Sequence, residues 1–273
     1  KYGFGEILRH VTVTTRLRAR RKGAAARAGD VRGRKTLIAL PLAQKARAVL
    51  EELGPTFVKF GQLLSNRHEL LPKEFILELR RLREEVPPER YELVAKQITR
   101  DFGTPPEQLF EEFDPDPVAA ASIAQVHRAR LHTGESVAVK VRRSNAEETV
   151  DSDIAIMRRL AQIIDRHIWE GRPFTATELV GEFDRQIHRE LDFRRERLNI
   201  QKFRKYFERN PKISVPRVYG EFCSENVLTL DYVHGTRMTE LLWKQRPPES
   251  RGRVIVDRIT ELMLTQIFIN GFY

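Results

Sequence analysis

The sequence contains very little cysteine and no long hydrophobic run. Cys223 is the single cysteine among 273 residues, so the chain cannot form an internal disulfide. No stretch reaches the roughly 18 consecutive apolar residues of a membrane-spanning helix, and none resembles a signal peptide. These absences exclude a disulfide-stabilised domain and a membrane span within this stretch. The remaining composition, 41% hydrophobic and 32% charged, is typical of a folded globular protein.

Acidic residues are scarce in the first 36 positions. Residues 1–36 carry eleven Lys or Arg against Glu6 and Asp30, whereas the other 237 residues carry 37 basic and 36 acidic groups. The net charge of +10 therefore belongs almost entirely to a basic arm, which we expect to approach anionic membrane lipid. Neither interleaved aromatic residues nor a nucleic-acid-binding motif accompanies it, so we expect no nucleic-acid partner. A solvated arm without a partner is the alternative.

The most informative stretch lies between Ala119 and Lys140. It predicts a small-residue loop, a strand, a turn at Gly134 and a second strand, because residues 136–141 alternate with a period of two. This alternation places Lys140 on the face opposite Val139. Protein kinases hold ATP phosphates with a lysine fixed on a strand in this way. Lysines on strand edges are also common, so the lysine alone does not decide the function.

Helix and strand patterns surround that stretch. Apolar spacing and proline or glycine boundaries predict helices over residues 41–53, 56–64, 72–83, 90–102, 147–169, 176–207 and 251–270. Strands are predicted over 213–218 and 227–233. This order predicts an α+β protein with a kinase-like fold, in which an N-terminal helical extension precedes a small antiparallel-sheet N-lobe and the start of a helical C-lobe. The predicted parts are a basic arm over 1–36, the helical extension over 37–105, the N-lobe over 106–235 and a truncated C-lobe over 236–273.

The helix predicted over residues 176–207 offers carboxylates that could pair with Lys140. Glu190 is the best candidate, and Glu182 is a weaker one. Asp192 lies two residues from Glu190 and so points to another face of a continuous helix, where it could address a metal or a second cation. The alternative is a solvated helix face on which these carboxylates pair with neighbouring arginines. No spacing of ligand types predicts a metal site.

Four motifs occur in the order seen in a known family. They are Lys59-Phe60-Gly61-Gln62, the alanine-rich segment from Ala119 to His127, Val137-Ala138-Val139-Lys140, and Glu190-Leu191-Asp192. From about residue 40 onwards, the chain therefore resembles the UbiB (ADCK-type) atypical kinase family. A lysine-glycine-glutamine helix followed by an alanine-rich loop is specific to that family. A small-molecule phosphotransferase of the aminoglycoside-kinase type shares the lobe plan but gives no reason for that helix.

The resemblance implies roles for individual residues. Lys140 would hold the ATP phosphates, and Glu190 would hold Lys140. Lys59 and Gln62 match a helix that folds over the active site and blocks ordinary protein substrates, so these two residues would be regulatory. Asp192 would share that regulatory role through the Glu-x-Asp motif.

The resemblance also assigns the surroundings of the nucleotide. The loop that replaces the glycine-rich loop of other kinases matches Ala119, Ala120, Ala121 and Ser122. Because Cβ atoms restrict φ, this loop cannot wrap phosphates as glycine does, and we expect a different nucleotide geometry. The backbone of Asp231 and Val233 falls where a kinase hinge binds adenine, although a strand end followed by a turn explains these residues equally well.

Finally, the resemblance implies a function for the intact protein. Such a protein would bind ATP and magnesium and support ubiquinone, or related isoprenoid-quinone, biosynthesis. It would act with other biosynthetic components as a peripheral protein on the cytoplasmic face of a bacterial inner membrane. The family's His-x-Asp catalytic loop and Asp-Phe-Gly-like metal motif do not follow within these 273 residues, so we expect this stretch alone to be inactive. The alternative is a catalytically inactive, pseudokinase-like scaffold that binds lipid or protein.

Overall fold

The structure is a computed structural model that describes residues 41–83, 86–167, 175–241 and 248–271. The basic arm predicted over 1–36 lies outside the described residues. The main helices are α1 (Leu42–Leu53), α2 (Pro55–Leu64), α3 (Lys73–Leu79), α4 (Tyr91–Phe102), α5 (Pro106–Leu109), α6 (Ala146–His167), α7 (Ala176–Leu191), α8 (Phe193–Phe207) and α9 (Glu249–Leu264). Short helical turns are Gly220–Phe222, Met238–Glu240 and the π-helical Thr265–Ile269. Within the described ranges, no helix is long and apolar enough to cross a membrane.

One antiparallel sheet accompanies these helices. Its strands are β1 (Glu112–Phe113), β2 (Ala119–Ala120), β3 (Ala124–Arg130), β4 (Ser136–Arg142) and β5 (Val227–Asp231). The strand order is β1-β3-β4-β5, and β2 pairs with β3. In β4, Val137, Val139 and Val141 are buried while Lys140 alternates with them, which confirms the predicted period of two. The turn before β4 contains Gly134 with a φ of +97°, as the sequence predicts.

The chain divides into two compact units. The first unit comprises the described residues as far as Gln97, together with Pro117–Gln125 and Arg142–Asp192. The second unit comprises Ile98–Asp116, Val126–Val141 and the described residues from Phe193 onwards. The domain boundaries predicted at residues 105 and 235 stay predictions.

Close helix packing builds the core of the first unit. Val58 of α2 joins Leu79 and Leu82 in a buried cluster. Gly61, one turn further along α2, permits this approach because a Cβ there would collide with the side chains of Leu82 and Leu50. The small residue in the Lys-x-Gly-Gln motif is therefore a packing requirement.

Aromatic side chains fill the core of the second unit. The buried ring of Phe110 lies 5.5 Å from that of Phe113 and 5.6 Å from that of Phe222. Phe113 also stacks on His127, whose Nδ1–H donates to the backbone oxygen of Asp114 at 2.8 Å. Burial lowers the pKa of His127, so the neutral imidazole is part of this core.

The prediction of one helix over residues 176–207 is wrong. The structure interrupts it at Asp192, whose φ of −98° and ψ of 97° are extended. The oxygen of Leu191 at the end of α7 accepts from the Arg142 guanidinium at 3.1 Å. The N–H of Phe193 donates to the oxygen of Glu225 at 3.0 Å and therefore leaves the helical pattern. The Phe193 side chain is fully buried, and this burial stabilises the interruption.

The predicted strand over residues 213–218 is also wrong in extent. The structure reduces it to a single bridge between Val218 and Leu230. Pro216 has no N–H to donate to a ladder, which explains why pairing does not extend. The strand predicted over 227–233 and the helix predicted over 90–102 are present as β5 and α4 with slightly shorter bounds.

Candidate functional site

Lys140 is held from two directions within the second unit. Its Nζ lies 2.7 Å from Oε2 of Glu196 and 4.6 Å from the centroid of the Phe193 ring. The Lys140 and Glu196 side chains are 28% and 40% exposed, so this ion pair contributes only about 0–1 kcal/mol to stability. Its main consequence is to hold the Lys140 ammonium in a fixed position beside β4. An ammonium has three N–H donors, and the Glu196 oxygen accepts from one of them. The others can donate hydrogen bonds to phosphate oxygens.

The start of α8 supplies both partners of Lys140. Phe193 and Glu196 lie in the first turn of this helix, which packs against β5, the strand next to β4. Glu225 fixes that turn twice, because its backbone oxygen accepts from Phe193 and its carboxylate pairs with Arg194 at 3.3 Å. A strand lysine and a helix glutamate thereby meet with the backbone of both elements restrained.

The predicted pairing of Lys140 with Glu190 is wrong. Glu190 forms an ion pair with Lys59 instead. The interruption at Asp192 is the physical reason, because it leaves Glu190 on α7 in the first unit and places Glu196 on α8 in the same unit as Lys140. A catalytic role for Glu190 itself stays a prediction.

The Lys59–Glu190 pair depends on how α2 contacts α7 in the first unit. Phe60 packs against Phe183 of α7 with ring centroids 5.2 Å apart. Gln62 donates from its amide nitrogen to the backbone oxygen of Leu82 at 3.1 Å. Within the motif, Gln62 thus anchors α2 while Lys59 reaches α7. Regulatory roles for Lys59, Gln62 and Asp192 stay predictions.

The alanine-rich loop is tied to its own neighbours. Ala119 and Ala120 form β2, and the N–H of Ala121 donates to the oxygen of Ala124 at 2.8 Å. Ser122 lies at the tip of the tight turn that results. The loop is therefore a short hairpin rather than an extended flap, and its role in nucleotide binding stays a prediction.

The predicted hinge is already part of a hydrogen-bond network in the second unit. The N–H of Asp231 donates to the oxygen of Arg217 at 3.0 Å, so only its carbonyl could bind adenine as predicted. The Asp231 carboxylate accepts from the Tyr219 hydroxyl at 2.8 Å. Burial, together with this hydrogen bond, raises the pKa of Tyr219 to about 12. Val233, a residue that is 64% exposed, follows beyond β5, and its predicted contact with adenine is untested.

No described group of three His, Cys, Asp or Glu residues could hold a metal ion. Asp192 ends α7 as its C-terminal cap, and the predicted contact with a cation is untested. We therefore assign no magnesium ligand among the described residues.

Comparison with known proteins decides the family. Residues 81–273 match the ABC1 atypical kinase-like domain. The chain belongs to this family. The resemblance of this ABC1 family member to the UbiB-type atypical kinases is confirmed, and so is the predicted α+β, kinase-like fold class.

Several relatives of this ABC1 family member are named as kinases. The probable protein kinase UbiB of Pseudomonas paraeruginosa is 39% identical over 229 residues, which cover 84% of this chain and 43% of that protein. The protein of the same name from Marinobacter nauticus is 37% identical over 229 residues, covering 84% and 42%. The chain thus spans less than half the length of these relatives.

A solved structure is also similar. The Mycobacterium tuberculosis protein Rv3197, determined in complex with erythromycin, matches with a TM-score of 0.53 and 28% identity. The match covers 76% of this chain and 51% of that one.

Proposed function

We propose that the intact protein is a UbiB-type atypical kinase or ATPase in which Lys140 binds the phosphates of ATP. One observation carries this proposal: an ammonium on β4 is held by Glu196 and by the face of Phe193, in a chain of the ABC1 atypical kinase-like family. Bound ATP would supply the transferable phosphoryl group. Lys140 would neutralise its phosphate oxygens, and Glu196 would keep the ammonium in place.

Glu196 replaces Glu190 in this scheme. Its Oε2 lies 2.7 Å from Nζ of Lys140, and the ammonium also rests over the face of the buried Phe193 ring, which helps to hold it in place. Glu190, Lys59 and Gln62 are then available for the regulatory role implied by the family, since the Lys59–Glu190 pair fastens α2 to α7 within the first unit. We propose that this pair limits access of large substrates. Magnesium would be needed by the family chemistry.

The wider role follows from the relatives' name. We propose that the intact protein supports ubiquinone or related isoprenoid-quinone biosynthesis, together with other biosynthetic components, on the cytoplasmic face of a bacterial inner membrane. The eleven basic residues in positions 1–36 support attachment to anionic lipid. Flotation with anionic and with neutral vesicles tests this attachment, and equal binding to both would contradict it.

Nucleotide binding by the full-length protein tests the proposed site. A fluorescent ATP analogue should bind the wild type with magnesium present, and Lys140→Ala should weaken binding at least about tenfold because a charge-assisted contact with the phosphates is lost. Lys202→Ala, which removes an exposed lysine of α8, is the matched control and should bind like the wild type. Equal affinity of the Lys140→Ala variant would remove this lysine from the site. Absence of binding and turnover in the wild type would favour the pseudokinase-like scaffold.

A further inference from the structure

Arg143 makes an unusual set of contacts three residues after Lys140. Its backbone N–H donates to the oxygen of Ile123 at 2.9 Å, and its Nε donates to the oxygen of Ala121 at the same distance. The two carbonyls flank Ser122, the tip of the alanine-rich loop. One residue therefore holds the loop on both sides of its tip.

The same guanidinium reaches a second segment. Its Nη2 donates to the backbone oxygen of Pro87 at 2.7 Å, in the connector that precedes α4. Burial lowers the pKa of Arg143, while the nearby Glu89 carboxylate opposes that shift. A half-buried guanidinium needs acceptors for its donors, and these carbonyls satisfy that requirement. Because Nε and Nη2 are in one rigid plane, the distance between loop and connector is fixed as well.

Neighbouring polar groups reinforce this arrangement. Glu89 accepts from the Ser144 hydroxyl at 2.9 Å, and its backbone N–H donates to the side-chain oxygen of Gln125 at 2.8 Å. Gln125 lies in β3 just after the loop and is 1% exposed. Connector, loop and the end of β4 thus form one network, all of it inside the first unit.

The geometry of a trans peptide gives this network a consequence. The C=O and N–H of one trans peptide group point in opposite directions, and the described peptide bonds, those of the loop included, are all trans. When Arg143 draws the Ala121 carbonyl toward itself, the Ser122 N–H is turned away from the guanidinium. We infer that Arg143 is a positioning residue that sets the backbone of the alanine-rich loop, and with it the loop's affinity for a nucleotide phosphate. This inference rests on the proposed nucleotide site.

Arg143→Lys in the full-length protein tests the inference. Lysine keeps the charge but cannot reach two carbonyls from a rigid fork. We expect the dissociation constant for a fluorescent ATP analogue to rise about tenfold, with a rise in KM for ATP and a smaller change in kcat. Arg142→Lys is the matched control, because its guanidinium also binds a backbone oxygen, that of Leu191 at the end of α7.

Hydrogen exchange provides a readout that does not need nucleotide. Peptides covering residues 119–126 should exchange faster in Arg143→Lys than in Arg142→Lys. Ala121→Gly is a second variant with the native arginine retained. It should also speed exchange of these peptides, and the two changes combined should raise the exchange rates by less than the product of their separate effects.

The outcomes separate this inference from the proposed function. Unchanged exchange in Arg143→Lys, or nucleotide constants equal to those of Arg142→Lys, would overturn the positioning role. If Arg143→Lys exchanges faster but the wild-type protein binds no nucleotide, the positioning of the loop would stand, whereas its link to phosphate and the proposed function would both be overturned. Multiplicative effects in the double variant would show that Arg143 acts elsewhere than through the loop.

Discussion

The Lys59–Glu190 pair of the first unit and the Lys140–Glu196 pair of the second are constructed differently. In the first unit, Lys59 and Glu190 join two helices, and their side chains are 19% and 34% exposed. In the second unit, Lys140 extends from a strand that pairs with β5 over five residues, and an aromatic ring lies beneath its ammonium. The first pair is suited to fastening helices together. The second presents a charge from a rigid sheet, which is what phosphate binding requires.

The largest expected difference concerns ATP turnover in the full-length protein. Lys140→Ala should lower the rate of phosphate release by about 100-fold or more, because phosphoryl chemistry depends on preorganised charge. Lys59→Ala should change it by less than about tenfold, since that lysine serves a contact between helices. Steady-state phosphate release measures both. If both variants lost phosphate-release rate equally, the proposed difference in role between Lys140 and Lys59 would be contradicted.

Stability should reveal the close packing of the first unit. Gly61→Ala places a Cβ against Leu50 and Leu82 and should lower the free energy of unfolding by about 1–3 kcal/mol. Gly181→Ala in α7 is the control, because its Cβ would meet only an ordinary contact at 3.7 Å. That control should be neutral or stabilising by up to about 1 kcal/mol. Urea denaturation compares the two, and a stable Gly61→Ala variant would show that α2 can shift without cost.

Replacing each glutamate by glutamine tests which carboxylate is the partner of Lys140. Glu196→Gln should lower ATP turnover about tenfold, because the ammonium keeps a hydrogen-bond acceptor but loses its counter-charge. Glu190→Gln should have a smaller effect on turnover, because its partner is Lys59. The same phosphate-release assay applies. A larger loss for Glu190→Gln would restore the original pairing with Lys140 and contradict the contacts seen here.

The smallest expected effect is a pH dependence of opposite sign in the two units. Burial alone would lower the pKa of His188, but hydrogen bonds to Asp184 and Asp151 raise it above the ordinary value near 6.5. Its stabilising contribution is complete below about pH 6.5 and is lost as pH rises through the raised pKa. Burial lowers the pKa of His127, so its contribution is complete above about pH 6.5 and decreases as pH falls toward the lowered pKa.

Histidine titration followed by NMR measures both values. His188 should titrate above about 6.5 and His127 below it. In addition, the urea midpoint of His188→Gln should fall less than that of the wild type between pH 6 and 8. Two identical titrations would contradict the difference between a surface histidine held by carboxylates and a core histidine.

Local pattern predicted much of the fold. The alternating valines of residues 136–141 identify β4 and the face of Lys140 because one side of the strand is buried. Gly54 and Pro55 predict the end of α1, and the structure confirms it with a φ of +113° at Gly54. Such features depend on neighbours in sequence, and for that reason they can be deduced without coordinates.

The partner of Lys140 was harder to predict because it depends on a tertiary contact. The signal that could have found Glu196 is the spacing of apolar residues: Phe183, Ile187 and Leu191 follow one helical face, but Phe193 comes only two positions later. One continuous helix cannot bury all four on the same side. The network around Arg143 has no comparable signal, because it joins Pro87, Ala121 and Ile123 through backbone carbonyls that any residue provides.

The extended residue at Asp192 also resets the rotational phase of the chain. In an uninterrupted helix, six residues amount to about 600°, so Glu190 and Glu196 would stand about 120° apart on one rod. The interruption removes that fixed offset, and the azimuth of each glutamate is set by its own helix. A residue inserted at this junction would leave α7 in register with α2, whereas the same insertion inside α7 would rotate Glu190 by about 100° away from Lys59.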